Sequence, residues 1–245
     1  MRARSTLLAT LMFPLLAGCT TATRDDAVRE RIVYVAIGAS DTVGVGAENP
    51  RADAWPSVFS RIALPQNAEY HNLGISGATT QEALRSQLPK AERLRPTIVT
   101  IWLNVNDLTH GVMPDVYEER LLRLLTSLRE VGAQQILVAN TPVLEDLPAY
   151  RSCLEPGAVD VTCRFPGFVP PPELVRFAVD AYNEAIERAA EAAGAIVVDL
   201  HALGSAPASH PDWVSADGFH PSSEGYRVVA ERFADALGDA AADAA

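Results

Sequence analysis

Residues 32–42 read Ile-Val-Tyr-Val-Ala-Ile-Gly-Ala-Ser-Asp-Thr. The first six are apolar and nearly all β-branched or aromatic, which is typical of a strand buried on both faces of a sheet. Gly38 and Ala39 then bring a serine, Ser40, into a tight turn before a helical pattern begins. A strand, a turn and a helix in this order indicate a parallel α/β sheet, in which ligands bind at the carboxyl ends of the strands.

The same alternation continues along the chain. Further strand-like runs occupy residues 70–73, 98–103, 136–139 and 195–200, and helical apolar periods occupy residues 117–128, 174–189 and 226–237. Gly132 and Gly194, each just before a strand, suit helix C-termini. We expect one α/β domain, a three-layer α/β/α sandwich around a mainly parallel sheet of about five strands.

Composition narrows the class of protein. The chain has 245 residues, 48% of them apolar, and a formal charge of −11 from 31 acidic and 20 basic residues. This apolar content excludes a disordered or collagen-like chain. Without a run of lysine or arginine to contact phosphates, the sequence predicts no nucleic-acid partner.

The N-terminus has the form of an export signal. Arg2 and Arg4 precede an apolar stretch at residues 7–16, which is too short to span a bilayer. The alternative is a buried N-terminal strand or helix. Residues 16–19, Leu-Ala-Gly-Cys, resemble a bacterial lipobox. That resemblance implies cleavage before Cys19 and lipidation of Cys19, and hence a protein anchored to the bacterial cell envelope.

These features divide the chain into four parts. We expect a lipoprotein signal peptide at 1–18, a polar tether at 19–31, the globular domain at 32–237 and a fraying tail at 238–245. The membrane, through lipidated Cys19, is then one partner.

The other two cysteines, Cys153 and Cys163, lie in a long irregular stretch at residues 142–172. In an exported protein, two thiols at this separation favour a disulfide. A metal site is the alternative, but no histidine lies near either cysteine, and ligand sets of this kind usually include one or more further cysteines or histidines.

Residues that are able to take part in chemistry follow several of the predicted strands. They are Ser40 after the first strand, Gly74, through its backbone N–H, after the second, and Asn106 after the third. Asp217 and His220 lie near the C-terminus. An aspartate three residues before a histidine is able to contact the imidazole and fix its tautomer. Each fragment alone is explained by a cap or a turn, but all are expected at the same edge of the sheet.

In this order the fragments resemble the SGNH hydrolases, also called GDSL esterases and lipases, over about residues 32–237. The resemblance rests on Gly-Ala-Ser-Asp at 38–41, on Gly74, on Asn106 and on Asp-Gly-Phe-His at 217–220. It implies the flavodoxin-like SGNH fold and hydrolysis of a small ester or lipid-like substrate, with short carboxylic esters as the default and with no cofactor and no metal.

The resemblance also assigns roles. Ser40 is the nucleophile, His220 the general base and acid, and Asp217 the residue that orients His220. The oxyanion donors implied are the backbone N–H groups of Ser40 and Gly74 and the side-chain amide of Asn106.

Two positions depart from the family pattern, which has aspartate at Ala39 and glycine at Asn104. Ala39 lacks a side chain able to brace the serine turn, and Asn104 alters the shape near the oxyanion donors. Asp41 has two interpretations, an acid at a helix N-terminus or an acceptor close to the catalytic residues.

Four alternatives remain. An α/β-hydrolase would need Gly-x-Ser-x-Gly around Ser40, which is missing, and the glycines after residue 38 do not match a nucleotide-binding pattern. Metal-assisted hydrolysis lacks a compact ligand motif. The strongest alternative is a lipoprotein that uses an SGNH-like fold to bind a ligand or an envelope partner without catalysis.

Overall fold

The protein is described by a computed structural model over residues 31–157, 159–163, 167–205 and 209–243. The signal peptide, the lipidation of Cys19 and nearly all of the tether fall on residues 1–30, outside this range, and they remain predictions. In the part of the chain that the structure describes, no helix is both long enough and apolar enough to cross a membrane.

Strands and helices alternate from the first described residues onward. The strands are β1 Val33–Gly38, β2 Glu69–Asn72, β3 Ile98–Trp102, β4 Gln135–Ala139 and β5 Ile196–Val198. The helices are α1 Ser40–Val43, α2 Pro50–Asp53, α3 Trp55–Ala63, α4 Thr80–Glu82, a π-helical turn Ala83–Gln87, α5 Leu88–Leu94, α6 Val105–Thr109, α7 Pro114–Glu130, α8 Pro148–Leu154, α9 Pro172–Ala193 and α10 Ser223–Asp243. Short 3₁₀ turns occupy His201–Leu203 and Pro211–Trp213.

The five strands form one parallel sheet in the order β2-β1-β3-β4-β5. The chain leaves β1 toward β2 on one side and later continues from β3 on the other side. The carboxyl ends of β1 and β3 therefore flank the point where the strand order reverses, with Gly38 opposite Trp102. Ligand sites of open parallel sheets form at this reversal.

Helices cover both faces of the sheet, which confirms the predicted three-layer fold. Val35 and Ile37 of β1 face a core that α7 and α9 complete, whereas Tyr34 faces the opposite core, where α3 and α10 pack. In that second core Trp55 stacks on Phe233 with ring centroids 4.2 Å apart. Each fully buried large apolar side chain contributes about 1.5–3 kcal/mol, so both layers stabilise the sheet.

All five predicted strands are present, and Gly132 and Gly194 lie at the C-termini of α7 and α9 as expected. Two differences concern helices. The irregular stretch at 142–172 contains α8, whose seven residues are too few to show a helical period. The tail expected to fray from residue 238 continues α10 to Asp243, because its alanines favour helix.

Candidate active site

Ser40 is the first residue of α1 and follows directly after the carboxyl end of β1. Gln87, the last residue of the π-helical turn, fixes this strand end. Its side chain accepts a hydrogen bond from the Gly38 N–H and donates one to the Gly38 carbonyl, both at 2.9 Å. Gln87 is fully buried, so these bonds satisfy the polar groups of the amide and of the strand end together. A Cβ at Gly38 would lie 1.9 Å from the Thr42 hydroxyl, so the turn requires glycine.

The loop before α10 holds the acid and the base. Asp217 Oδ1 accepts the backbone N–H groups of Phe219 at 2.8 Å and His220 at 2.9 Å, and also the Ser215 hydroxyl at 2.8 Å. Asp217 Oδ2 lies 2.6 Å from His220 Nδ1. Burial alone would raise the pKa of Asp217, but the hydrogen bonds from His220, the two backbone groups and Ser215 outweigh it and lower the pKa to about 2. Asp217 is therefore ionised at neutral pH.

The same imidazole reaches the serine. His220 Nε2 lies 3.0 Å from Ser40 Oγ, although the two residues are 180 positions apart in the chain. Because the ionised Asp217 accepts the proton on Nδ1, Nε2 is the free acceptor and the Ser40 hydroxyl donates to it. The structure thus brings together the three residues predicted as catalytic, in hydrogen-bonding geometry for removing the serine proton.

The predicted oxyanion donors differ in whether their N–H groups already donate hydrogen bonds. The Gly74 N–H donates to Asn72 Oδ1 at 2.9 Å, so it is already engaged within its own loop. The Asn106 amide donates to the Ala78 carbonyl at 3.0 Å, which uses one of its two N–H groups. Gly74 nevertheless lies against the serine turn, because a Cβ at this position would come within 2.9 Å of the Thr42 side chain.

Asp107 links α6, which carries Asn106, to Thr80 at the start of α4. Its carboxylate accepts the Thr80 backbone N–H at 2.8 Å and the Thr80 hydroxyl at 2.7 Å. The side chain is fully buried, and burial raises the pKa of Asp107 against the lowering effect of the Thr80 hydrogen bonds. Asn106, the next residue back along the chain, is thereby held beside the loop that carries Gly77 and Ala78.

Comparison with known proteins agrees with this geometry. The model of the GDSL-like lipase/acylhydrolase family matches residues 36–228, which is most of the chain. The chain belongs to that family. It is thus a member of a family of carboxylic ester hydrolases, called SGNH hydrolases after the residue types of their site.

Similar proteins include an arylesterase of Vibrio mimicus, 29% identical over 101 residues, a match that spans 40% of this chain and 50% of the arylesterase. Among solved structures, TesA superposes with a TM-score of 0.63 at 19% identity, over 84% of this chain and 97% of its own. The psychrotrophic esterase EstA from Pseudoalteromonas sp. gives 0.63 at 16% identity, over 84% and 97%. At these identities the structural likeness establishes the fold.

The two departures from the GDSL pattern have structural compensations. At Ala39, Gln87 braces the strand end through the neighbouring Gly38, as described above. Asn104 caps α6, because its Oδ1 accepts the Val105 N–H at 2.7 Å, while its amide donates to the Ala139 carbonyl at 3.4 Å. The sequence does contain one indication of the role of Gln87. It is a polar residue four positions after Ala83, on a helix face that is otherwise apolar.

Two cavities lie close to the catalytic candidates of this GDSL protein. An open cleft of about 330 Å³ is lined by His220, Asp217, Asn106 and Phe219. A narrower, apolar cavity of about 80 Å³ lies between the sheet edge and α10, with Phe219 in its wall as well. The narrow cavity exceeds several times the volume that one water needs, so it has room for a group of a few heavy atoms.

A disulfide joins Cys153 to Cys163, as the sequence predicted. It connects α8 to the segment at residues 159–163, which packs on the loop of the acid and the base. The Ala149 N–H donates to the Gly218 carbonyl at 2.9 Å, and Val161 lies against Gly218. Ala149 and Thr162 also line the open cleft, so the disulfide-bonded segment forms one wall of the site.

Proposed function

We propose that the protein is a serine-dependent hydrolase of carboxylic esters that acts through an acyl-enzyme intermediate at Ser40. The observation that carries this proposal is the continuous hydrogen-bond chain from Ser40 Oγ through His220 to Asp217 at the reversal point of the sheet. Membership of the GDSL family, the name of the Vibrio mimicus arylesterase and the esterase names among the structural relatives support esters as the substrate class.

The chemistry follows from the hydrogen bonds. Ser40 Oγ attacks the ester carbonyl carbon while His220 Nε2 takes the hydroxyl proton. The imidazolium is stabilised by Asp217, and it then gives its proton to the departing alcohol as the acyl-enzyme forms. Water, deprotonated by His220, attacks the acyl carbonyl, which releases the acid and restores Ser40.

The tetrahedral intermediates need donors for a negatively charged oxygen. We propose the Ser40 N–H, the Gly74 N–H and the second N–H of the Asn106 amide for this role. The Gly74 N–H, which donates to Asn72 Oδ1 in this structure, would donate to the charged oxygen instead. One such donor is worth about 3–4 kcal/mol of the barrier.

We further propose that the protein acts at the bacterial cell envelope, held by lipid on Cys19. The support is the sequence alone: a short apolar stretch behind two arginines, followed by Leu-Ala-Gly-Cys at residues 16–19.

Steady-state hydrolysis of p-nitrophenyl acetate and p-nitrophenyl butyrate tests the proposed activity. Ser40→Ala should lower kcat/KM by about 10⁴-fold or more, since the nucleophile is lost. Ser60→Ala, on α3 away from the site, is the matched control and should retain activity. Equal rates for Ser40→Ala and the unmodified protein, or no hydrolysis by the unmodified protein, would favour a ligand-binding role without catalysis.

A further inference from the structure

The narrow cavity, which Asp41 of α1 helps to line, has a nearly uniform wall. It is built from apolar side chains that follow β3, β4 and β5 and from one side of α10, among them Trp102, Leu144, Leu200 and Val228. Such a wall suits an alkyl group. One lining residue, however, is charged rather than apolar.

That residue is Asp41, the neighbour of Ser40 in α1 and, among the described residues, the only ionisable one that lines the narrow cavity. Apart from the backbone N–H of Asp41 itself, no group in the described part of the chain donates a hydrogen bond to its carboxylate or forms an ion pair with it. Asp41 is half-buried, and a carboxylate that faces an apolar wall without a partner is costly, so proteins normally pair such a group.

Among the described residues, the surroundings of Asp41 also contain no lysine or arginine: none of these lines the narrow cavity or the open cleft. Burial raises the pKa of Asp41, while His220 lowers it and Asp217 raises it. Two carboxylates, Asp41 and Asp217, therefore stand near the serine with His220 as the neighbouring basic group.

We infer that the narrow cavity takes the part of the ester that carries a protonated amine, with Asp41 as its counter-ion. This inference rests on the proposed ester hydrolysis and names its preferred substrate class. An ammonium group supplies both hydrogen-bond donors and the missing charge, whereas a hydroxyl supplies a donor without charge. The aromatic faces of Trp102 and Phe219 in the same wall are compatible with a cation. The net charge of −11 attracts cationic substrates toward the protein.

Two isosteric ester pairs test the inference, one for each side of the ester bond. On the acyl side, ethyl 3-aminopropanoate is compared with ethyl butanoate. On the alcohol side, 2-(dimethylamino)ethyl acetate is compared with 3-methylbutyl acetate. In each pair a protonated nitrogen replaces a carbon of the same size, so the ratio of kcat/KM for the charged over the neutral ester measures the contribution of charge.

Asp41→Asn keeps the size of the side chain and removes its charge. In at least one pair, the ratio should fall by about fivefold or more relative to the unmodified protein, since the counter-ion is lost. A smaller change in both pairs would overturn the inference. Because each ratio is taken within one protein, a general loss of activity in the variant cancels.

A second measurement needs no variant. Butylammonium should inhibit hydrolysis of p-nitrophenyl acetate by the unmodified protein at concentrations where 1-butanol does not, and equal inhibition by both would contradict the inference. If the unmodified protein hydrolyses none of the esters, the proposed function itself has failed. If it hydrolyses them with unchanged ratios and equal inhibition, only the role of Asp41 has failed.

Discussion

Asp217 uses one carboxylate oxygen to hold its own loop and the other to orient the imidazole. Oδ1 accepts three hydrogen bonds from Ser215, Phe219 and His220, which leaves Oδ2 directed at His220 Nδ1. The tautomer of the base therefore depends on a carboxylate that the loop itself immobilises. A neutral amide at this position would lack the charge that stabilises the imidazolium.

Asp217→Asn is accordingly expected to reduce kcat for p-nitrophenyl butyrate by about 10²–10⁴-fold, with a smaller effect on KM. Initial rates over a range of p-nitrophenyl butyrate concentrations would give kcat and KM for both proteins. A kcat within threefold of the unmodified protein would show that His220 does not depend on Asp217.

The same substitution has a pH signature in stability. The folded-state pKa of Asp217, about 2, lies below that of an unfolded aspartate. Its stabilising effect is therefore complete above about pH 4 and disappears as the pH falls toward 2. The difference in Tm between the unmodified protein and Asp217→Asn should shrink over that interval, whereas a constant difference would argue against an ionised, hydrogen-bonded carboxylate.

At the residue scale, the sequence predicted the catalytic side chains but not all of their supports. Ser40, Asp217 and His220 each follow a strand or a turn, and their order along the chain, rather than any single fragment, made them predictable. Gln87 has no such signal, because its contacts are with the backbone of Gly38, which is distant in sequence. That Asn72 engages the Gly74 N–H is likewise visible only in the structure.

Among the elements, the π-helical turn Ala83–Gln87 has a specific task. It brings the amide of Gln87 to the end of β1, where it hydrogen-bonds both the N–H and the carbonyl of Gly38. In a regular α-helix through the same residues, the Gln87 side chain would have a different direction about the helix axis. The position of Ser40 is therefore coupled to a helix more than 40 residues further along the chain.

Gln87→Leu retains the side-chain volume but leaves the Gly38 N–H without its side-chain acceptor and the Gly38 carbonyl with the Ile75 N–H as its remaining donor. We expect a loss of about 1–3 kcal/mol in the free energy of unfolding and a decrease in kcat that exceeds any rise in KM, since Ser40 is displaced. Denaturant titration and ester kinetics would measure the two effects. Gln81→Leu, at an exposed glutamine in the preceding turn, is the control. Equal stability and kcat in the two variants would contradict the role of Gln87.

The disulfide-bonded segment is the second element that supports the site. The Cys153–Cys163 bond closes a loop of 10 positions, and its removal is expected to cost about 2–3 kcal/mol. A double Cys→Ser variant should also lose activity, because α8 and Val161 contact Gly218 between the acid and the base. Tm and kcat would be measured for this variant and for the unmodified protein after reduction. If the bond acts in this way, the two proteins should show the same decreases. An unchanged Tm would show that the bond is not formed.

Sequence periodicity predicted the strands better than the short helices. Four of the five strands consist largely of continuous apolar runs, which are visible without knowledge of their neighbours, whereas β2, Glu-Tyr-His-Asn, is mostly polar. In contrast, α8 is short and is stabilised by a disulfide and by contacts with Gly218, which are distant in sequence. The end of α10 depends on alanine propensity rather than on an apolar period, so the pattern after Leu237 gave no indication of helix.

For the whole molecule, the strand order decides the site. The order β2-β1-β3-β4-β5 puts the ends of β1 and β3 side by side, so α1 with Ser40 and α6 with Asn106 begin at neighbouring strand ends although they lie far apart in sequence. The sequence predicted that polar residues would collect at one sheet edge. It did not predict the narrow cavity beside Asp41, because that cavity is formed jointly by three strand ends and α10.

The proposed anchor gives a prediction for the complete protein in a bacterial cell. Cys19→Ala should move the protein from the membrane fraction to the soluble fraction, since the thiol that carries the lipid is lost. Fractionation of cells that express either form would measure this, with Cys153→Ser as a control for loss of a cysteine elsewhere. Equal membrane association of the Cys19→Ala form would refute the anchor.

The central claim is that Ser40 is a nucleophile activated by His220, and covalent labelling tests it most directly. A fluorophosphonate probe should add one phosphonyl group per protein molecule, detected by intact mass, and peptide fragmentation should locate it on Ser40. Ser40→Ala should remain unlabelled, and His220→Ala should react far more slowly. An unmodified protein that resists the probe, or a label that persists in Ser40→Ala, would contradict the account.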